Sequence, residues 1–129
     1  MEKGSGVKYD DGKIRLDLIS TLAEEEIARV LTFGAKKYSA HNWRLGLPWS
    51  KLLRAARGHI NSFMRGEDLD DETGIVHLAH AGCCIMFLLE YYLTGNGVDD
   101  RWNERRKMPC VKGRIRTNVR SKRSKKGRK

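Results

Sequence analysis

The stretch "ETGIVHLAHAGCCIMFLLEYYL", residues 72–93, is apolar on almost every side when wound as a helix, and "TGNG" behind it supplies the stop. A helix with that pattern belongs at the centre of a bundle or in a subunit interface, because a surface helix keeps one polar face. It is expected to run from Asp71 or Glu72 to about Tyr92. Working backwards, "SKLLRAARGHINSFMRG" lines up Leu52, Leu53, Ala56, Ile60, Phe63 and Met64 on one face. That predicts a second helix, starting between Pro48 and Ser50 and stopped by Gly66. Earlier still, Leu22, Ile27, Val30, Leu31 and Phe33 recur at helical spacing behind Ser20 or Thr21 as N-cap, predicting a helix over about 20–38. "SAHNWRLGLPW" reads as a loop because Gly46 and Pro48 interrupt it, and "KIRLDLI" alternates briefly enough to suggest a short extended segment. No repeat is evident. The expected fold is all-α, a bundle of three to five helices. So few helices in one chain cover the apolar one poorly, so a homo-oligomer, dimer or tetramer, is expected.

Charge divides the chain. Its formal net charge is +10, yet residues 101–129 hold 14 Lys and Arg against the single acid Glu104. Residues 1–100 are left with 12 bases and 15 acids, a net of −3. The expected organisation is therefore one folded domain over 1–100 and a basic, disordered tail over 101–129. The tail is a candidate for nonspecific nucleic-acid contact, whose affinity would fall steeply with salt. Three cysteines without framework spacing suit a reducing compartment. "MEKGSGVKYDDGK" has no signal-peptide character, and no apolar run reaches the roughly 18 residues that a membrane helix needs, so a cytoplasmic protein is expected.

Against that background "GEDLDDETG" is conspicuous, with five carboxylates in the six residues 67–72. One or two acids would suffice to cap a following helix and complement its dipole. Five repel one another, and the usual relief for crowded oxygen ligands is a hard divalent cation, Mg²⁺ or Mn²⁺. The spacing does not match a calcium-binding EF-hand loop. The helices also carry polar exceptions on apolar faces: Glu26 on the first, His59 on the second, His77 and His80 on the third. Burying such groups is costly unless they are paired, hydrogen-bonded or on a metal. Zinc through His59, His77 and His80 is an alternative, which the excess of oxygen ligands argues against. A magnesium-type site on carboxylates usually serves a phosphate substrate. Lys13, Arg15 and Lys37 are cations for the phosphates, while Tyr38, Asn42 and Trp43 offer aromatic surface and an amide for a base.

These residues assemble into a recognisable order. "KYDDGKIRLDLI", "EEIARVLTFGAKKYSAHNWRLGL", "AARGHINSFMRGEDLDDETG" and "HLAHAGCCIMFLLE", spanning about residues 7–90, resemble the phage MazZ-like (MazG-like) dATP/dGTP diphosphohydrolase N-terminal domain family. The resemblance implies an oligomeric all-α nucleotide pyrophosphohydrolase with Mg²⁺ or Mn²⁺ at carboxylates. It also implies hydrolysis of a purine deoxynucleoside triphosphate, dGTP favoured, to monophosphate and pyrophosphate. The wider MazG superfamily carries E-E-x-x-E on one helix and E-x-x-D on the next. Here "RAARGHINS" puts His59 where acids are expected, "EDLD" offers Glu67 and Asp70, and "ETG" offers Glu72 with Ile75 in place of an aspartate. The expected metal ligands are Glu72, Asp70 and Glu67, then Glu26, with His80 and His59 as direct or supporting partners. Glu67, Asp70, Glu72 and His59 are the candidate catalytic groups. A phosphohydrolase of the HD type is disfavoured because none of the four histidines precedes an aspartate. The rival reading is a catalytically inactive helical assembly module with a nucleic-acid-binding tail.

Overall fold

The computed structural model describes residues 4–102. It contains three α-helices, α1 (Thr21–Lys37), α2 (Trp49–Met64) and α3 (His77–Thr94), with 3-10 turns at Leu16–Leu18 and Asn42–Leu45. Among the described residues there is no strand, only two isolated bridges, Pro48 to Val98 and Leu69 to Val76. The fold is all-α. The basic tail expected from the sequence lies, from residue 103 on, outside the described residues. Among those described, no helix is long and apolar enough to cross a membrane.

Local chemistry sets the helix ends. Ser20 caps α1 by accepting the Ala23 N–H at 3.2 Å. Pro48, with φ −59°, stands just before α2 and Gly95, with φ +71°, just after α3. Two expectations need correction. "KIRLDLI" is not extended: Leu18 and Ile19 donate to the Arg15 and Leu16 carbonyls, and Arg15 closes on Asp17 at 2.7 Å. With these bonds satisfied locally, the segment turns. The third helix also begins later than expected, at His77. Residues 70–75 form a tight turn in which Asp70 N–H donates to Ile75 O (2.9 Å) and Gly74 N–H to Asp70 O (2.8 Å). Gly74 sits at φ +71°, where a helix cannot continue.

α2 and α3 form an antiparallel hairpin, and α1 packs on α3, where Ile27 covers Gly82. The apolar core lies where α2 begins and α3 ends. Trp49, Leu52 and Tyr91 are buried there, with Trp43, Leu47, Cys84, Phe87 and Leu88 packed round them. Each large side chain so buried contributes about 1.5–3 kcal/mol by leaving water. Tyr91 is fully buried, and its hydroxyl donates to the Trp43 carbonyl. The other end of the hairpin is polar.

Candidate metal and catalytic centre

At that polar end α2 contributes His59, α3 contributes His77 and His80 from its first turn, and the intervening turn contributes Glu67, Asp70 and Thr73. The turn is held against α3 by the Leu69 to Val76 bridge and by His77 N–H donating to Asp68 O at 2.8 Å. His59 Nδ1 lies 2.8 Å from His77 Nδ1, and His77 Nε2 lies 3.0 Å from Glu67 Oε2. A carboxylate accepts only, so Nε2–H of His77 donates to Glu67. Its Nδ1 then presents a lone pair, and His59 Nδ1–H donates to it.

A second chain runs beside the first. Asp70 Oδ2 accepts the Thr73 N–H at 3.0 Å and the Thr73 hydroxyl at 3.1 Å. Thr73 Oγ1 in turn lies 2.7 Å from His80 Nε2, which therefore donates to it. The His80 ring stacks on His59, centroids 4.6 Å apart and planes 10° apart. Asp70 Oδ1 is left facing His59 Nδ1 at 4.0 Å, beyond hydrogen-bonding reach.

The electrostatics suit ligation. Burial holds the His59 imidazole below its usual pKa, with His80 and His77 adding to the effect and Asp70 opposing it. Burial lowers His80 in the same way against the pull of Asp70. Burial is also the largest influence on Asp70 and pushes it up. The Thr73 amide and hydroxyl, with His80 and His59, outweigh that and hold its carboxyl below the ordinary range. Near neutral pH these shifts favour neutral imidazoles at His59 and His80, each keeping one ring N–H, beside an ionised Asp70. His59, Asp70 and His77 each present a ligand atom within 4.8 Å of the other two.

The residues singled out from the sequence divide by position. His59, Glu67, Asp70 and His80 come together. Glu72 turns outward from the same turn and pairs with Lys37, at the end of α1, at 3.0 Å. Glu26 pairs with Arg29 on α1 at 3.0 Å. Lys13 and Arg15 pair with Asp10 and Asp17 ahead of α1. Tyr38 is exposed beside Lys37, and Asn42 opens the second 3-10 turn. Trp43 stands at the opposite end of the hairpin. Phe87 stacks on its ring at 4.3 Å and the Arg44 guanidinium lies 4.4 Å from it, so its two faces are taken. Two members of the cluster stand outside the expected carboxylate ligand set: His77, which the sequence offers only in the zinc alternative, and Thr73, which neither reading singles out. His77 is flagged in the sequence by its one-turn spacing from His80, and Thr73 by the D-x-x-T-G pattern of a side-chain-capped turn.

Fold and cluster together define a small all-α domain with a histidine–carboxylate centre at one end of a helical hairpin. The chain belongs to the dATP/dGTP diphosphohydrolase N-terminal family, whose profile matches residues 3–101. A relative in Salmonella phage PMBT28, named dATP/dGTP diphosphohydrolase, is 41% identical over 102 residues, covering 77% of this chain and 34% of the relative. The chain thus spans about a third of the length of that curated relative. No solved structure matches it.

Proposed function

We propose that this chain hydrolyses a purine deoxynucleoside triphosphate, dGTP favoured, to the monophosphate and pyrophosphate, supplying phage nucleotide metabolism in the host cytoplasm. One observation carries the reading. The polar exceptions of α2 and α3 and two carboxylates of the acidic turn converge on one cluster, in a chain whose relative is named for dATP and dGTP. The donors suit a divalent cation, which Asp70 would hold with His59 and His77, and the family resemblance implies Mg²⁺ or Mn²⁺ for that ion. When bound, such an ion neutralises phosphate oxygens and eases deprotonation of water.

The chain's own groups do the rest. Thr73 keeps Asp70 oriented and ionised. Glu67, half exposed and bonded to His77 through one oxygen, has its other oxygen available to take a proton from the attacking water. Lys37 would exchange Glu72 for a phosphate, with Lys13, Arg15, Tyr38 and Asn42 on the segments flanking α1 as further nucleotide contacts. Water adds across one phosphoanhydride bond, so the products are monophosphate, pyrophosphate and a proton. A homo-oligomer completes the proposal, since Leu78, Ile85, Leu89 and Tyr92 form one half-exposed stripe along α3.

The test is to incubate the purified chain with each dNTP and NTP, with Mg²⁺, Mn²⁺ or EDTA, and to resolve products by anion-exchange chromatography. Deoxyguanosine monophosphate and pyrophosphate are expected, abolished by EDTA. Asp70→Asn should lower kcat by about a hundredfold or more. A folded protein that turns over no nucleotide would overturn the proposal in favour of the inactive assembly module.

A further inference from the structure

We propose that His59, Asp70 and His77 form a nitrogen-rich centre that selects a first-row transition dication, of the Mn²⁺, Co²⁺ or Zn²⁺ class, over Mg²⁺. This deepens the reading above by naming the class of ion its cluster takes.

The donor set decides the class. Imidazole nitrogens suit borderline transition metals, whereas Mg²⁺ takes oxygen and gives up its water reluctantly. An all-oxygen cage is not assembled here: Glu72 is drawn off by Lys37 and Glu26 by Arg29, each at 3.0 Å. What the fold gathers is two imidazoles and one carboxylate, from α2, α3 and the turn between them.

Each donor is already aimed by a partner outside the set. Glu67 accepts Nε2–H of His77 and so keeps its Nδ1 lone pair toward His59. A carboxylate behind a ligating histidine fixes its tautomer and raises its basicity. Thr73 occupies Oδ2 of Asp70 through amide and hydroxyl, leaving Oδ1 to face the imidazoles. His80 stacks on His59 and sets the plane of its ring.

The close contact between the two Nδ1 atoms, 2.8 Å, is held by a single proton. A dication takes the place of that proton: the ion would bind both Nδ1 nitrogens and Asp70, and His59 would carry its single ring proton on Nε2 instead, so both imidazoles stay neutral. Ligand nitrogens at about 2.0–2.1 Å from a tetrahedral ion stand about 3.3 Å apart, so the two rings need part by only about half an ångström. Because the donors come from three elements, the ion ties α2, the turn and α3 together. Folding and binding are then coupled.

The experiment uses the full chain, stripped with EDTA and dialysed, without nucleotide. Mn²⁺, Co²⁺, Zn²⁺ and Mg²⁺ are titrated by calorimetry. Metal content, the visible spectrum of the Co²⁺ form and pulsed EPR of the Mn²⁺ form are recorded. One ion per chain is expected, with imidazole nitrogen coupling to Mn²⁺. Zn²⁺ and Co²⁺ should bind at least about a hundredfold more tightly than Mg²⁺ and raise the thermal midpoint. His77→Ala should abolish binding and Glu67→Gln should weaken it about tenfold. His41→Ala, which removes the one histidine outside the cluster, should leave binding unchanged. The EPR of the unmutated chain decides the matter even if His77→Ala fails to fold. Absence of nitrogen coupling, binding of Mg²⁺ as tight as Co²⁺, or undiminished binding in a folded His77→Ala would overturn the assignment. The two readings separate cleanly. Turnover of dGTP by a chain that binds Mg²⁺ alone would overturn this one and leave the reaction standing, whereas tight Co²⁺ binding without turnover supports this one and removes the reaction.

Discussion

Thr73 has one hydroxyl hydrogen, and it is given to Asp70, so the same oxygen must accept from His80 and from the Ile75 amide. Three groups therefore depend on one half-buried atom. Thr73→Val keeps the branched shape and removes the oxygen. It should destabilise the chain by about 1–3 kcal/mol, the cost of leaving polar partners unmade, while Thr73→Ser recovers most of it. Urea unfolding midpoints of the three proteins, with unchanged slopes, are the check. At this scale the sequence is informative about residue types and poor about pairings. His59, Glu67, Asp70 and His80 announce themselves as polar groups on apolar faces or as crowded acids. Nothing in one dimension says that Glu72 turns out to Lys37 while Glu67 turns in to His77, because a tight turn sends neighbouring side chains in opposite directions.

Element boundaries followed the caps wherever a cap could be read: Ser20 before α1, Pro48 before α2 and Gly95 after α3. The start of α3 was obscured because Ile75 and Val76 extend its apolar pattern backwards while their backbone is bridged to the turn. Periodicity reports burial, and burial continues after the helix has ended. The strap that follows α3 shows what an element owes to one residue. At Gly97, φ is +71°, and an added Cβ would meet Leu47 O at 2.5 Å and Trp49 Nε1 at 3.0 Å. Both neighbours are fixed: Val98 N–H donates to Leu47 O, and Trp49 donates to Asn96 O. Gly97→Ala therefore combines left-handed strain with overpacking against the core. A loss of roughly 2–4 kcal/mol is expected. Thermal or denaturant unfolding measures it. A loss below about 0.5 kcal/mol would mean that the strap yields and is not part of the core.

The whole molecule is polarised, with aromatic packing at one end of the α2–α3 hairpin and ionisable groups at the other, and α3 spans both. Among the described residues nothing covers its third side. Leu78, Ile85, Leu89 and Tyr92 recur at intervals of seven, four and three residues, about half exposed at 50%, 50%, 57% and 43%. That is the seam spacing by which one helix packs on another like it, and the low net charge of −3 over residues 1–100 offers little repulsion between copies. Self-association through α3 is the expected outcome, and it is the same need that the all-round apolar pattern of 72–93 announces in the sequence. Light scattering after size-exclusion chromatography should give a mass of two or four times 14.8 kDa. A double substitution, Ile85→Glu with Leu89→Glu, places like charges opposite each other across the seam and should yield monomer. Helical content by circular dichroism should be retained, because both side chains lie outside the buried core. A chain that runs at 14.8 kDa at high concentration would show that the stripe meets no second copy. A charged double variant that stays oligomeric would move the interface off α3, to the exposed apolar residues Leu16, Leu18 and Leu22 at the start of α1.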